Sequence, residues 1–150
     1  MASSQTLASF ISRSLAAYPA AATMFVLWGH GRSWRGLGGD HGSSAGGQGG
    51  GVPAALSLPQ LTEAVRTGLD GSGVVFDLLA LDASLMQSYT VASSLAPYAR
   101  YLLGSQLLQP ASGWDYKELV RSSNESDGVC SAGAMTGGEG CHALVCFFAP

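Results

Sequence analysis

Two residues in this chain have the chemistry for a nucleophilic attack on a carbonyl if the fold brings them together. They are His30, in "LWGHGRS", and Ser84, in "LALDASLMQ", 54 positions apart. An imidazole gives or takes a proton near neutral pH. A hydroxyl is a nucleophile only with such a base in direct contact. Gly31, beside His30, offers a backbone N–H, and the amide of residue 84 offers a second. Such a pair could hold an oxygen that turns negative in the transition state.

Ser84 also has a structural reading. With Gln87 it makes a Ser-x-x-Gln capping box at the start of "SLMQSYTVASSLAPYA", and a cap of that kind is worth about 1 kcal/mol. Three uses of Ser84 stay open: a cap in a dead site, a working nucleophile, or an engineered or erroneous replacement of another residue. His41 lies in a polar loop and reads as solvated.

Other chemistries find little support. Cys130, Cys141 and Cys146 make an odd count near one end, which is no disulfide framework. A zinc set of Cys141, His142 and Cys146 lacks both a Cys-x-x-Cys pair and a second half. The run "GSSAGGQGGG" contains no Gly-Lys-Ser/Thr, and no Gly-x-Gly-x-x-Gly follows a strand, so the glycines read as a mobile loop and not a phosphate cradle. Seven Lys and Arg form no cluster and the net charge is -3, which argues against a nucleic-acid surface. The apolar stretch "AAYPAAATMFVLW" holds a proline and is too short to span a bilayer.

The elements that must position His30 and Ser84 follow from periodicity. Hydrophobic residues make up 47% of the chain and charged ones 11%, enough for a sizeable core. No acidic residue precedes Asp40, a composition shared with transit peptides. The stripe Leu7, Phe10, Ile11, Leu15 and Tyr18 instead predicts an amphipathic helix over about 4–18, stopped by Pro19. "TMFVLW" (23–28) reads as a buried strand. Ser57 and Gln60 form a capping box, and Leu58, Leu61, Val65 and Leu69 carry the apolar face of the helix that follows. "DGSG" ends that helix. "VVFDLLAL" (74–81) is a second strand, the helix after Ser84 closes at Pro97, "RYLLGS" (100–105) is a third strand, and "WDYKELV" (114–120) starts another helix. Strands alternating with helices predict a parallel sheet, with ligands beyond the carboxyl ends of the strands. His30 and Ser84 stand at two such ends.

A histidine at one tip, with a nucleophile about 50 residues on at the next, is the layout of caspase-type cysteine proteases. The segments "TLASFISRSLAAYPAAATMFVLWGHGRSWRGLGGD", "LSLPQLTEAV" and "FDLLALDASLMQSYTVASSLAPYARYLLGSQLLQPASGWDY" resemble the clostripain family of cysteine peptidases, over roughly residues 6–120. The resemblance implies an α/β, caspase-like, parallel-sheet three-layer sandwich, here a fragment without the family's first strands. It implies His30 as the catalytic histidine and Ser84 at the position of the nucleophilic cysteine, with Gly31 and Ser84 as oxyanion donors. It also implies Asp82, with Asp115 as a second acidic wall, lining a pocket for an arginine or lysine side chain. The substrate class is then a peptide or protein with basic residues, with neither nucleic acid nor membrane as partner. No cofactor is expected; the family's calcium finds no supporting motif here, and no metal ligands stand out.

Departures from the family pattern matter equally. Gly29 stands where the family has aspartate before the histidine, and Arg32 and Ser33 replace glycines. The acidic run before Gly-Trp is "SQLLQPASGW". A serine at the cysteine position removes the thiolate on which such chemistry depends. The sequence therefore predicts a partial peptidase domain over 1–122, with a mobile glycine-rich loop at 40–56 and a disordered or aberrant tail at 123–150. It predicts a pseudoenzyme; an active hydrolase using Ser84 with His30, or a non-functional gene fragment, are the rival readings.

Overall fold

In a computed structural model of the chain, described residues are 3–38, 55–110, 112–119 and 143–148. Cys130, Cys141, His142, His41 and most of the 40–56 loop lie outside them. The first helix, α1 (Ser4–Ala17), buries Leu7, Ala8 and Ile11. Phe10 and Leu15 pack partly against the same core. Tyr18, expected on this stripe, is 65% exposed: it follows the helix as its C-cap with extended φ, so the 3.6-residue period no longer aims it inward.

Strand β1 (Ala22–Trp28) is buried from Ala22 to Leu27, as a run without polar alternation requires of a strand covered on both faces. Helix α2 (Leu58–Leu69) opens with the expected capping box. The Gln60 amide donates to Ser57 Oγ at 3.4 Å and the Ser57 amide donates to Gln60 Oε1 at 3.0 Å. Leu58, Leu61, Val65 and Leu69 are all buried. Strand β2 (Phe76–Asp82), helix α3 (Tyr89–Leu95) and strand β3 (Ala99–Leu103) follow.

The sheet is parallel throughout, in the order β3-β2-β1-β4. Its fourth strand, β4 (Ala143–Phe148), lies within 123–150, where the sequence reading expected no element. It pairs with β1 in the register Phe25↔Cys146. "ALVCFF" is an uncharged, apolar and β-prone run, the composition of a strand inside a parallel sheet.

One sheet face carries the main core, with Phe25, Leu27, Leu79 and Leu81 packed among residues of all three helices. Phe25 and Phe76 stack there with ring centroids 5.0 Å apart. On the other face Met24, Val26 and Ala80 meet Trp114, Tyr116 and Leu119, the last two from a helical turn at 116–119.

Candidate active site at the strand tips

Parallel pairing of β1 with β2 sets Trp28 opposite Asp82. The Gly29 amide extends the pairing by donating to the Asp82 carbonyl at 3.3 Å. His30 lies two residues past Trp28 and Ser84 two past Asp82, so both tips leave the sheet at the same level. Their backbones then touch. A Cβ placed on Gly31 would overlap the Ser84 carbonyl oxygen and stand 2.7 Å from Met86 Cγ, so only glycine fits there without displacing one tip.

The His30 tip is a tight loop. Arg32 N–H donates to the Gly36 carbonyl at 2.9 Å and Gly38 N–H to the His30 carbonyl at 2.8 Å, across a bridge between Gly31 and Leu37. Leu37 in turn exchanges two 2.9 Å backbone bonds with Leu56. A single 3-10 turn, Ser33–Arg35, fills the loop. His30 itself is exposed.

The Ser84 tip differs from the expected capped helix. Residues 84–87 form a turn and α3 begins only at Tyr89, with Ser88 as N-cap. Leu85 has φ +64°, which stops helical propagation from Ser84 at its first step. The Gln87 amide donates to the Ser105 carbonyl at 3.0 Å, not to Ser84. Ser84 is thus no cap in this fold. Its hydroxyl oxygen accepts a 2.9 Å hydrogen bond from the backbone N–H of Gln109.

Gln109 belongs to a strap, 104–110, that runs from the end of β3 across the Ser84 turn. The strap is laced to the turn at three places: Leu85 N–H to the Leu107 carbonyl at 3.1 Å, Gln87 to Ser105, and Gln109 to Ser84 Oγ. Because β2 lies between β1 and β3, the strap and the His30 loop flank Ser84 from opposite sides.

Asp82 is 2% exposed. Its Oδ2 accepts from the Trp114 backbone N–H at 2.8 Å and from the Tyr116 hydroxyl at 2.5 Å. Its Oδ1 is buried without a hydrogen-bond partner among the described residues. Gly113 lies directly over this pair. A Cβ there would stand 2.5 Å from Asp82 Oδ2 and 2.7 Å from Trp28 Nε1, and its φ of +66° independently favours glycine. The Tyr116 hydroxyl is pushed well above the ordinary tyrosine range, first by burial and then by its bond to Asp82. Asp115, exposed, accepts from the Glu118 amide at 3.0 Å and so caps the 116–119 turn.

The structure therefore brings His30, Gly31, Asp82 and Ser84 to one end of two adjacent strands, with Asp115 in the 112–119 segment that covers Asp82. The Gln109 amide and the Tyr116 hydroxyl were not among the residues singled out from sequence. Gly104 and Pro110 bracketing "SQLLQ" mark a short loop, but nothing in those letters points a main-chain N–H at Ser84. Of the zinc set, only the backbone of Cys146, in β4, is described.

The family model of the clostripain family (Peptidase_C11) matches residues 1–136. A secreted C11 cysteine protease from Bacteroides thetaiotaomicron, solved with an irreversible peptide inhibitor, superposes with a TM-score of 0.62 at 26% sequence identity. The match covers 83% of this chain and 33% of that one, so the chain spans about a third of the length of the solved protease. No curated protein matches the chain. Among the described residues no helix is long and apolar enough to cross a membrane. The caspase-like parallel sheet, the touching strand tips and the family match agree: the chain belongs to the clostripain family.

Proposed function

We propose that this chain is a degenerate clostripain-type peptidase that binds basic peptide side chains at Asp82 and does not hydrolyse them. The observation that carries the inactive reading is the Ser84 hydroxyl bonded to the Gln109 amide at 2.9 Å. An accepted hydrogen bond draws electron density from the oxygen that would have to attack. A serine depends wholly on close contact with a base, whereas a thiol with its lower pKa does not. His30 serves in this reading as the retained catalytic histidine. The Gly31 and Ser84 amides retain the oxyanion role, since the Gly31–Leu37 bridge is bonded through Arg32 and His30 and does not draw on Gly31 N–H.

Asp82 supports the basic preference. Its Oδ2 is saturated by two donors, but Oδ1 is buried and unpartnered, an unsatisfied position that an ammonium or guanidinium would fill. Asp115 adds a second negative charge at that end. Peptides or proteins carrying lysine or arginine are the substrate class that fits.

The test compares wild type, Ser84→Cys and Ser84→Ala on fluorogenic arginyl and lysyl amides. Turnover is expected in Ser84→Cys alone. Hydrolysis by the wild type that Ser84→Ala abolishes would establish an active serine enzyme and overturn the inactive reading. Quenching of tryptophan fluorescence by a basic peptide, through Trp28 and Trp114 beside Asp82, reports binding without turnover.

A further inference from the structure

We propose that the backbone N–H of Gln109 is an anion-holding donor for the side chain at position 84, so that the strap after β3, and not His30 alone, makes this tip a thiolate site whenever sulfur occupies it. The proposal deepens the peptidase reading and rests on it only in taking position 84 as the nucleophile position.

The geometry carries the argument. The donor is a main-chain amide in a strap held to the turn by the bonds from Leu85 to Leu107 and from Gln87 to Ser105. It needs no rotamer change to meet its acceptor, and it already sits at hydrogen-bond distance from Ser84 Oγ. A neutral hydroxyl gains modestly from such a donor. A thiolate gains more, because hydrogen bonds to a charged acceptor are stronger and lower the acceptor's pKa. The turn offers no competing helix dipole, since α3 begins at Tyr89, five residues on. The strap "GSQLLQ" and the turn residues Leu85, Met86, Gln87 and Ser88 contain no titratable group. The titratable neighbours are His30 on the β1 side, which as imidazolium would also favour a thiolate, and Asp82, two residues back, whose negative charge would oppose one. The amide is the favourable element that neither protonation nor salt removes.

Alkylation of Ser84→Cys by iodoacetamide across pH 5–10 tests this, read by mass spectrometry on the peptide holding position 84, because Cys130, Cys141 and Cys146 also react. The expected half-maximal rate falls about a unit or more below the ordinary thiol value of about 8.5. It stays lowered in Ser84→Cys/His30→Ala. In Ser84→Cys/Gln109→Pro, which removes the N–H, it rises, with about a tenfold loss of rate at neutral pH. Ser84→Cys/Gln109→Ala keeps the N–H and should titrate like Ser84→Cys. A value at or above 8.5 in Ser84→Cys, or a lowering that vanishes with His30, overturns the proposal; these two arms decide it even if the proline variant unfolds. No peptide enters the measurement. A lowered pKa in a variant without hydrolysis would leave this inference standing and sink the peptidase reading instead.

Discussion

Gly31 and Ser84 are in backbone contact: the Ser84 carbonyl oxygen occupies the space where any side chain at residue 31 would begin. That contact holds the histidine loop and the Ser84 turn at one depth beyond β1 and β2. Gly31→Ala forces the two tips apart or bends one, and overpacking of this kind costs about 1–3 kcal/mol. Urea denaturation should show a lower midpoint with an unchanged slope. In the Ser84→Cys background the same substitution should reduce hydrolysis well beyond any loss of folded protein, because it changes the distance between imidazole and thiol. Wild-type stability in Gly31→Ala would mean that the tips are not packed as described.

Ser33 offers the opposite case, a site where substitution should help. The resemblance expects glycine at both Arg32 and Ser33. Arg32 sits at φ -133°, which any residue adopts, but Ser33 sits at φ +56°. A left-handed non-glycine residue costs about 1–2 kcal/mol, and glycine's greater unfolded-state entropy gives part of that back. Ser33→Gly is therefore expected to stabilise by about 0.5–1 kcal/mol, seen as a higher thermal midpoint. An unchanged or lower midpoint would contradict the loop conformation. Arg32→Gly should bring no such gain.

What could be read beforehand from the letters, and what could not, divides along physical lines. The strand β1, the capping box of Ser57 with Gln60, and the α2 stripe rest on local patterns whose energetics are local too, and these appear as expected. The same logic fails at Ser84. Ser-x-x-Gln is a good local signal, but the Leu85 backbone and the bonds to the 104–110 strap are non-local and win over it. "ALVCFF" carried a readable strand pattern, yet its partner, β1, lies more than a hundred residues earlier. Asp82 could be marked as a candidate pocket acid from its motif. That Tyr116 and the Trp114 amide would satisfy one of its oxygens depends on a return of the chain that no periodicity encodes.

At the opposite end of the strands Asp77 keeps β1 and β2 in register. Its Oδ2 accepts from the buried Thr23 backbone N–H at 2.8 Å, while its Oδ1 meets Arg100, a largely exposed side chain, at 3.4 Å. The two partners should respond differently. Asp77→Ala strands a buried amide and should cost about 1–3 kcal/mol. Arg100→Ala removes a solvent-screened charge pair and should cost at most about 1 kcal/mol. Chemical denaturation of both variants measures the contrast. Equal losses would place the stabilisation in the ion pair and not in the amide bond. Since the register of β1 against β2 sets the level of both tips, Asp77→Ala should also depress any activity of Ser84→Cys, although it lies far from the site.

The bond from Tyr116 to Asp82 should appear in the pH dependence of stability. Burial and the Asp82 carboxylate raise the phenol's pKa in the folded chain above its unfolded value of about 10. The folded state therefore retains the phenolic proton over a range where the unfolded state has lost it. A group shifted upward gives stability that is complete below the unfolded pKa and declines as pH rises toward the folded one. Tyr116→Phe deletes both the bond and this titration. At neutral pH the variant should be less stable, by about 1.5 kcal/mol for a hydrogen bond to a carboxylate. Above pH about 10 the wild type should lose stability faster than the variant, so the two curves converge. Urea midpoints measured from pH 7 to 11 decide the matter: parallel curves would mean that the hydroxyl is not held by Asp82. Loss of this bond also leaves Asp82 Oδ2 with the Trp114 amide as its remaining donor, so a basic peptide should bind that carboxylate more tightly in Tyr116→Phe, with a lower Kd by tryptophan quenching.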